Sequence, residues 1–348
     1  MIDGKEKKDI RLLDFNELSS YFSEIGEKAF RAKQVYNWLW SKSAVSFHEM
    51  TNLSLKTREL LNEHFEIRNL QIEREQKSND LTVKSAFKLF DGSLIEGVLI
   101  PADNRMTACI SSQVGCSLTC KFCATGYLER KRNLEAPEIY DQVVSIKSQS
   151  EKYYGTPLTN IVYMGMGEPL LNYQNVLKSV ELITSEVGLG MSPRRITIST
   201  AGIAKMIKKL GDDKVKFNLA LSLHAANDKK RSQIMPINDS NSLASLVDAL
   251  NYFYQQTKNK VTLEYIAFDN FNESLEDAEE LYDFAKRIPC KINIIEYNPI
   301  DNANFNTADP GKIDLFKEYL ENKGIVVNVR RSRGKDIDAA CGQLANKS

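Results

Sequence analysis

Apolar residues recur at two different intervals along this chain, and the change of interval marks its parts. Over residues 1–75 they fall at helical spacing among many charges. The segment Phe30-Arg-Ala-Lys-Gln-Val-Tyr-Asn-Trp-Leu-Trp40 is typical and holds both tryptophans. That pattern predicts a small helical part with an aromatic core. Residues 76–104 change character. Ser85-Ala-Phe-Lys-Leu-Phe90 and the run from Leu94 to Ile100 flank Asp91-Gly92, a pair that tolerates positive φ, which predicts a β-hairpin. Beyond it, β-rich runs alternate with amphipathic stretches. Strands are expected at 106–111, 160–164, 195–199, 217–223, 261–267 and 291–297, with a last one at 325–329. Helices are expected at 136–150, 173–186, 242–254 and 275–287, the first carrying Pro137 in its opening turn, where proline is tolerated. Strand–helix units in series mean an α/β fold on a parallel sheet, either a barrel or an open doubly wound sheet.

Polar and glycine residues gather where those strands end. Gly165-Met-Gly-Glu168 follows the second, Ser199 ends the third, Ser222-Leu-His224 ends the fourth and Asn298 follows the sixth. In a parallel barrel the carboxyl ends of the strands form one mouth, so these residues are expected to converge there. Gly165 and Gly167 permit a tight turn and close backbone approach to a ligand. Glu168 is suited to accept a charge-assisted hydrogen bond from an ammonium group. Ser199 and Ser222 are suited to ribose or carboxylate, and His224 to capping a loop or touching ligand.

Composition narrows the class. With 348 residues, 42% hydrophobic and 26% charged, the chain has room for one large domain and a small one. No apolar run reaches membrane-spanning length, and the polar, charged start does not read as a signal peptide, so a cytoplasmic protein is expected. Lysine plus arginine equals aspartate plus glutamate at 46 each, so overall charge decides nothing about nucleic acid. Local clusters say more. Arg130-Lys-Arg132, Arg194-Arg195 and the Arg330 to Lys335 stretch are expected to form a phosphate-tracking rim at the mouth, with Arg31 and Lys33 as further contacts.

The cysteines carry the chemistry. Cys116, Cys120 and Cys123 form a Cys-x3-Cys-x2-Cys run after the first strand, and no fourth cysteine continues it. A closed electron-transfer cluster usually takes four thiolates. Three can hold an iron–sulfur cube with one iron left open for S-adenosylmethionine, whose cleavage to a 5′-deoxyadenosyl radical is cofactor chemistry that the protein aims. The alternative is a structural zinc with Cys109 as fourth ligand, although zinc frameworks more often pair two distant Cys-x2-Cys arms. Cys290 reads as a buried apolar residue. Cys341, between Gly334 and Gly342, sits in a stretch expected to be a mobile tail, where a thiol is a poor core residue and a plausible nucleophile.

Taken in order, Cys116 to Cys123, Gly165-Met-Gly-Glu-Pro169, Ser192-Pro-Arg-Arg195 through Ser199-Thr-Ala-Gly202, Leu221-Ser-Leu-His224, Met235-Pro-Ile-Asn238 and Asp336-Ile-Asp-Ala-Ala-Cys-Gly-Gln-Leu344 resemble the RlmN/Cfr family of radical S-adenosylmethionine RNA methyltransferases. The resemblance implies a partial (β/α)6 barrel at 105–330, with an N-terminal helical accessory domain at 1–75, a hairpin extension at 76–104 and a tail at 331–348. It implies a [4Fe-4S] cluster on Cys116, Cys120 and Cys123, and two S-adenosylmethionines per turnover bound by Gly167, Glu168, Ser199, Ser222, Leu223, His224 and Asn298. It implies Cys341 as a methyl-carrying thiol, Cys109 as the thiol that releases product as a Cys109–Cys341 disulfide, and Glu96 or Cys109 as acceptor of the ring proton. Carbon 2 of an adenine in 23S ribosomal RNA and in transfer RNA would be the target, with carbon 8 of the ribosomal adenine as the family's other activity. A flavodoxin or ferredoxin would supply electrons to a monomeric enzyme. Two further readings are a metal-stabilised RNA-binding protein without catalysis, and a radical enzyme acting on a small molecule or peptide.

Overall fold

The computed structural model describes residues 7–346. Ten strands make one sheet: β1 (Gln71–Lys77), β2 (Val83–Lys88), β3 (Leu94–Ala102), β4 (Arg105–Cys109), β5 (Asn160–Tyr163), β6 (Ile196–Thr200), β7 (Asn218–Ser222), β8 (Val261–Ala267), β9 (Cys290–Glu296) and β10 (Val327–Arg330). Each lies beside its neighbour in sequence, from β1 at one edge to β10 at the other. β1 to β4 pair antiparallel, and β4 to β10 pair parallel. Successive parallel neighbours joined by helices are the condition for a sheet that curls toward a barrel. Among the described residues the two edges do not pair, so the barrel is partial.

The helices between the parallel strands cover the outer face: α4 (Ala136–Tyr154), α5 (Tyr173–Thr184), α6 (Ala204–Asp212), α7 (Asp228–Ile234), α8 (Leu243–Thr257), α9 (Leu275–Ala285) and α10 (Pro310–Asn322). α4 shows why these segments are helical. Glu135 and Glu138 form a reciprocal cap, Pro137 lies in the first turn, and Gly155 at φ 59° ends the helix. Its apolar stripe (Ile139, Val143, Ile146) is fully buried against the sheet.

The N-terminal helices α1 (Phe15–Glu24), α2 (Phe30–Trp40) and α3 (Leu55–His64) lie on the barrel through α4. Arg11 Nη1 binds Asp141 at 2.8 Å while its other nitrogens hold Asp9, an almost fully buried set of charges. Tyr140 donates its hydroxyl to the Trp40 carbonyl, and the two rings meet edge to face at 5.2 Å. The structure departs from the helical reading of residues 1–75 at Gln71–Lys77, which is an edge strand. Its charged sequence has no apolar face to announce a strand, and pairing with β2 decides the conformation. The expected hairpin is therefore the middle of an antiparallel meander that runs directly into the first parallel strand.

Candidate active site at the carboxyl ends of the parallel strands

Just past β4, Gln113–Val114 pairs with Arg132–Asn133, which ties off residues 115–131 as one loop above the sheet. Cys116, Cys120 and Cys123 sit in that loop against Leu118, Phe122, Met235, Ile266 and Phe268. The loop is anchored by Lys121 N donating to Ile234 O at 3.0 Å and Cys123 N to Cys120 O at 3.2 Å. Gly126 packs so closely that a Cβ there would stand 2.7 Å from Cys120 O. The three thiols are free of disulfides. Burial pushes Cys116 up to about 11 and raises Cys120 and Cys123 as well. A bound cation reverses that cost by taking the thiolate directly. No three His, Cys, Asp or Glu among the described residues converge on a single ion. Three soft thiols lining one pocket are a donor set that suits an iron–sulfur cluster or a zinc ion.

The pocket they share is a cleft of about 150 Å³ that opens to solvent at its mouth. Gly167, Glu168, Ser199, Ser222, His224 and Cys341 line it with the three cysteines, so the convergence expected from strand ends is present. Gly167 adopts φ 93°, and a Cβ there would meet Gln113 Cβ at 2.5 Å, so the backbone can pass only as glycine. Gln113 Oε1 accepts from Glu168 N at 2.9 Å. The Glu168 carboxylate accepts from Leu170 N (3.0 Å) and Ala201 N (2.8 Å), bracing the β5 loop against the β6 loop. Burial raises its pKa. Ser199 and Ser222 hydroxyls stand 3.2 Å apart. His224, at φ 57°, accepts from Ile266 N through Nδ1 at 3.1 Å, and burial lowers it to about 3, so the ring is neutral and keeps Nε2–H.

Leu223, Asn298, Cys109 and Glu96 do not line the pocket. Leu223 is a core side chain whose backbone carbonyl accepts from Arg231 Nε. Asn298 Nδ2 donates to Cys341 O at 3.3 Å, which makes it a tail contact, while its buried Oδ1 lacks a partner. Cys109 is buried on β4, and its pKa is raised by burial and then by negative charge at Cys341, so the two thiols lie within electrostatic reach. Glu96, on β3, is fully buried and faces the tail: Oε2 accepts from Ala345 N (2.9 Å) and Asn346 N (3.1 Å), and Oε1 lies 3.4 Å from Lys84 Nζ.

The stretch read as a mobile tail is docked. Ala124 N donates to Gly342 O at 2.7 Å and Thr125 Oγ1 to Leu344 O at 2.6 Å, which presses it onto the cluster loop. Cys341 is exposed toward the pocket. The flanking glycines serve fixed turns at φ 69° (Gly334) and 84° (Gly342).

Sequence reading missed two groups. Arg231 is buried beneath the mouth, where it holds Ala201 O (2.6 Å), Leu223 O (3.1 Å) and Asn238 Oδ1 (2.8 Å). It lies in Asp228-Lys-Lys-Arg231, which looks like an ordinary solvated run. Glu264 lines the pocket from mid-strand β8, held by Asn293 Nδ2 at 2.9 Å with Arg330 3.7 Å away. A glutamate in an otherwise apolar strand, Val261-Thr-Leu-Glu-Tyr265, was the available signal. The basic rim also needs correction. Arg132 is bound to Asp91 and Glu138, each at 2.7 Å. Arg194 and Arg195 stand at the entry of β6, five and four residues before Ser199, hence about 15 Å from the mouth at strand rise. Arg331 and Lys335 pair with Glu296. Arg130 and Lys131 remain exposed beside the loop.

Comparison with known proteins gives the same picture. Residues 9–67 match the ribosomal RNA large subunit methyltransferase N-terminal domain, and residues 110–285 match the Radical SAM superfamily. A probable dual-specificity RNA methyltransferase RlmN of Cytophaga hutchinsonii is 65% identical over 342 residues, covering 98% of this chain and 94% of that one. One of Salinibacter ruber is 41% identical, covering 99% and 95%. The crystal structure of a radical SAM methyltransferase from Sphaerobacter thermophilus superimposes with a TM-score of 0.92 at 37% identity, covering 98% of this chain and all of that one. The chain belongs to the RlmN/Cfr family of radical S-adenosylmethionine RNA methyltransferases, and it is an enzyme that transfers methyl groups to RNA.

Proposed function

We propose that this enzyme methylates carbon 2 of adenine, at adenine 2503 of 23S ribosomal RNA and adenine 37 of transfer RNA, by way of a methyl group carried on Cys341. The observation that carries the reading is the position of Cys341. It faces a pocket shared with the three-cysteine loop, and its charge is felt at Cys109 on β4. Radical SAM membership implies a [4Fe-4S] cluster and S-adenosylmethionine. Cys116, Cys120 and Cys123 would hold the first. Gly167, Glu168, Ser199, Ser222 and His224 would hold the second, with Leu223 and Asn298 acting through the backbone and the tail. When bound, these groups supply a methyl group for Cys341 and then a 5′-deoxyadenosyl radical, two S-adenosylmethionines per turnover.

The chain's own part follows from electron demand at carbon 2, which is electron-poor and does not attack a sulfonium methyl. The Cys341 thiolate is a competent nucleophile and takes the methyl by displacement. After loss of one hydrogen atom, that carbon adds to the ring. The ring proton goes to Cys109 or to Glu96, whose Oε2 is held by the tail amides and whose buried Oε1 has no hydrogen-bond partner. With the odd electron passed back to the oxidised cluster that Cys116, Cys120 and Cys123 would hold, Cys109 attacks Cys341 Sγ as it gives up its proton. The S–C bond breaks, its electron pair stays on carbon, and a proton completes the methyl group. A one-electron reductant such as a flavodoxin or ferredoxin would feed the cluster, and the disulfide left behind needs two electrons and two protons from a dithiol. A monomer in the cytoplasm completes the reading. Anaerobic reconstitution followed by nucleoside analysis of treated RNA tests it. 2-Methyladenosine is the expected product; 8-methyladenosine would move the target to carbon 8, and neither product would overturn the reading.

A further inference from the structure

The buried Lys84–Glu96 ion pair has no counterpart in that mechanism, and its surroundings are unusual. Lys84 on β2 and Glu96 on β3 are 5% and 0% exposed, and their charges approach to 3.4 Å. An apolar pair in the same space would avoid desolvating two ions and would often be at least as stable. What the charges add is a second contact each. Lys84 Nζ donates to Asp338 O at 3.3 Å, three residues before Cys341. Glu96 Oε2 accepts from Ala345 N and Asn346 N, four and five residues after it. The two arms therefore take hold of the tail on either side of the carrier thiol, one by a carbonyl and one by amides. Charge-assisted hydrogen bonds to backbone are among the stronger ones available.

The rest of the meander works in the same direction. In the turn between β1 and β2, Ser78 Oγ donates to Asp336 Oδ1 at 2.5 Å, and Asp80 Oδ2 accepts from Gly334 N at 2.8 Å. Asn346 Nδ2 donates to Leu94 O at 2.8 Å. With residues 338 and 345 held, the intervening loop carries Cys341 at its middle and Gly342 at its turn, so the reach of Sγ is set from the antiparallel strands. We propose that Lys84 and Glu96 form a two-armed clip that positions Cys341 for methyl loading and transfer. The clip rests on the reading of Cys341 as methyl carrier. It gives Lys84 a positioning role and accounts for Glu96 without ring-proton chemistry.

Hydrogen exchange on the cluster-loaded enzyme without RNA reads the clip directly. Lys84→Met is expected to speed exchange over residues 338–346 about tenfold or more, with Lys84→Arg near the parent. Glu96→Gln, whose amide oxygen still accepts both tail N–H groups, should stay within about threefold, whereas Glu96→Ala should match Lys84→Met. In anaerobic kinetics Lys84→Met should lower kcat and the rate at which Cys341 gains its methyl by about tenfold, with KM for RNA within about twofold. Parent-like tail exchange in Lys84→Met would overturn the proposal, as would loss of kcat with undiminished methyl loading. Should that variant fail to assemble, the neutral Lys84→Met/Glu96→Gln pair removes only the lysine arm, and the same two outcomes decide. Exchange needs no turnover, so a Cys341→Ala enzyme that still methylates RNA would sink the carrier reading and leave the exchange result standing.

Discussion

The two thiols outside the cluster loop differ in surroundings, and so their loss should have different consequences. Cys341 opens on the pocket while Cys109 is buried behind it. Cys341→Ala should bind iron like the parent and lose RNA methylation by at least about 10³-fold, because a covalent carrier has no substitute. Iron content and nucleoside analysis measure the two halves of that statement. Cys109→Ala should still load and attack but fail to release, so RNA is expected to migrate with the protein on denaturing gels; free product at the parental rate would move the resolving role elsewhere. The cysteine spacing and the strand-end serines were legible in the chain because short motifs keep their meaning in one dimension. Lys84 and Glu264 were not, because their partners lie far away in sequence, and Arg231 was not, because its charged run looks solvated.

At the scale of elements, the cluster loop is held by tight backbone packing. Gly126→Ala would place a methyl against Cys120 O, a clash on the order of 1–3 kcal/mol that lands on the ligand-bearing turn. Reconstituted protein should carry less iron and less of the accompanying visible absorbance, with the barrel's far-ultraviolet circular dichroism unchanged. The N-terminal helices depend on a different contact. Arg11→Ala leaves Asp9 and Asp141 facing one another in a buried site, with an expected loss of about 3–5 kcal/mol in a denaturant titration. Helices such as α4 were readable to within a few residues from caps and apolar stripes. β1 was not, since an edge strand of alternating charges takes its conformation from its neighbour.

Across the whole molecule, zero net charge hides an uneven surface. Arg130→Ala with Lys131→Ala, beside the mouth, should weaken RNA binding and reduce the slope of log affinity against log salt by up to about two. Arg194→Ala with Arg195→Ala, at the opposite ends of the strands, should leave the slope near the parent. Filter binding at several salt concentrations separates these outcomes. The antiparallel strands also gain a role at this scale. They continue the barrel sheet, and they hold the tail that carries Cys341.

What the chain alone determined was local and periodic: the alternation of strands and helices, the three-cysteine loop, and the polar residues that cap parallel strands. These follow from backbone geometry, in which strand ends in a parallel sheet must share one side. What only the tertiary structure decided was which charges are already engaged and where the tail lies. Arg132, Glu96 and Lys84 look like free surface residues in one dimension. Their partners are brought to them by sheet pairing and by the return of the C-terminus across the meander, contacts between residues up to 254 positions apart that no local pattern encodes.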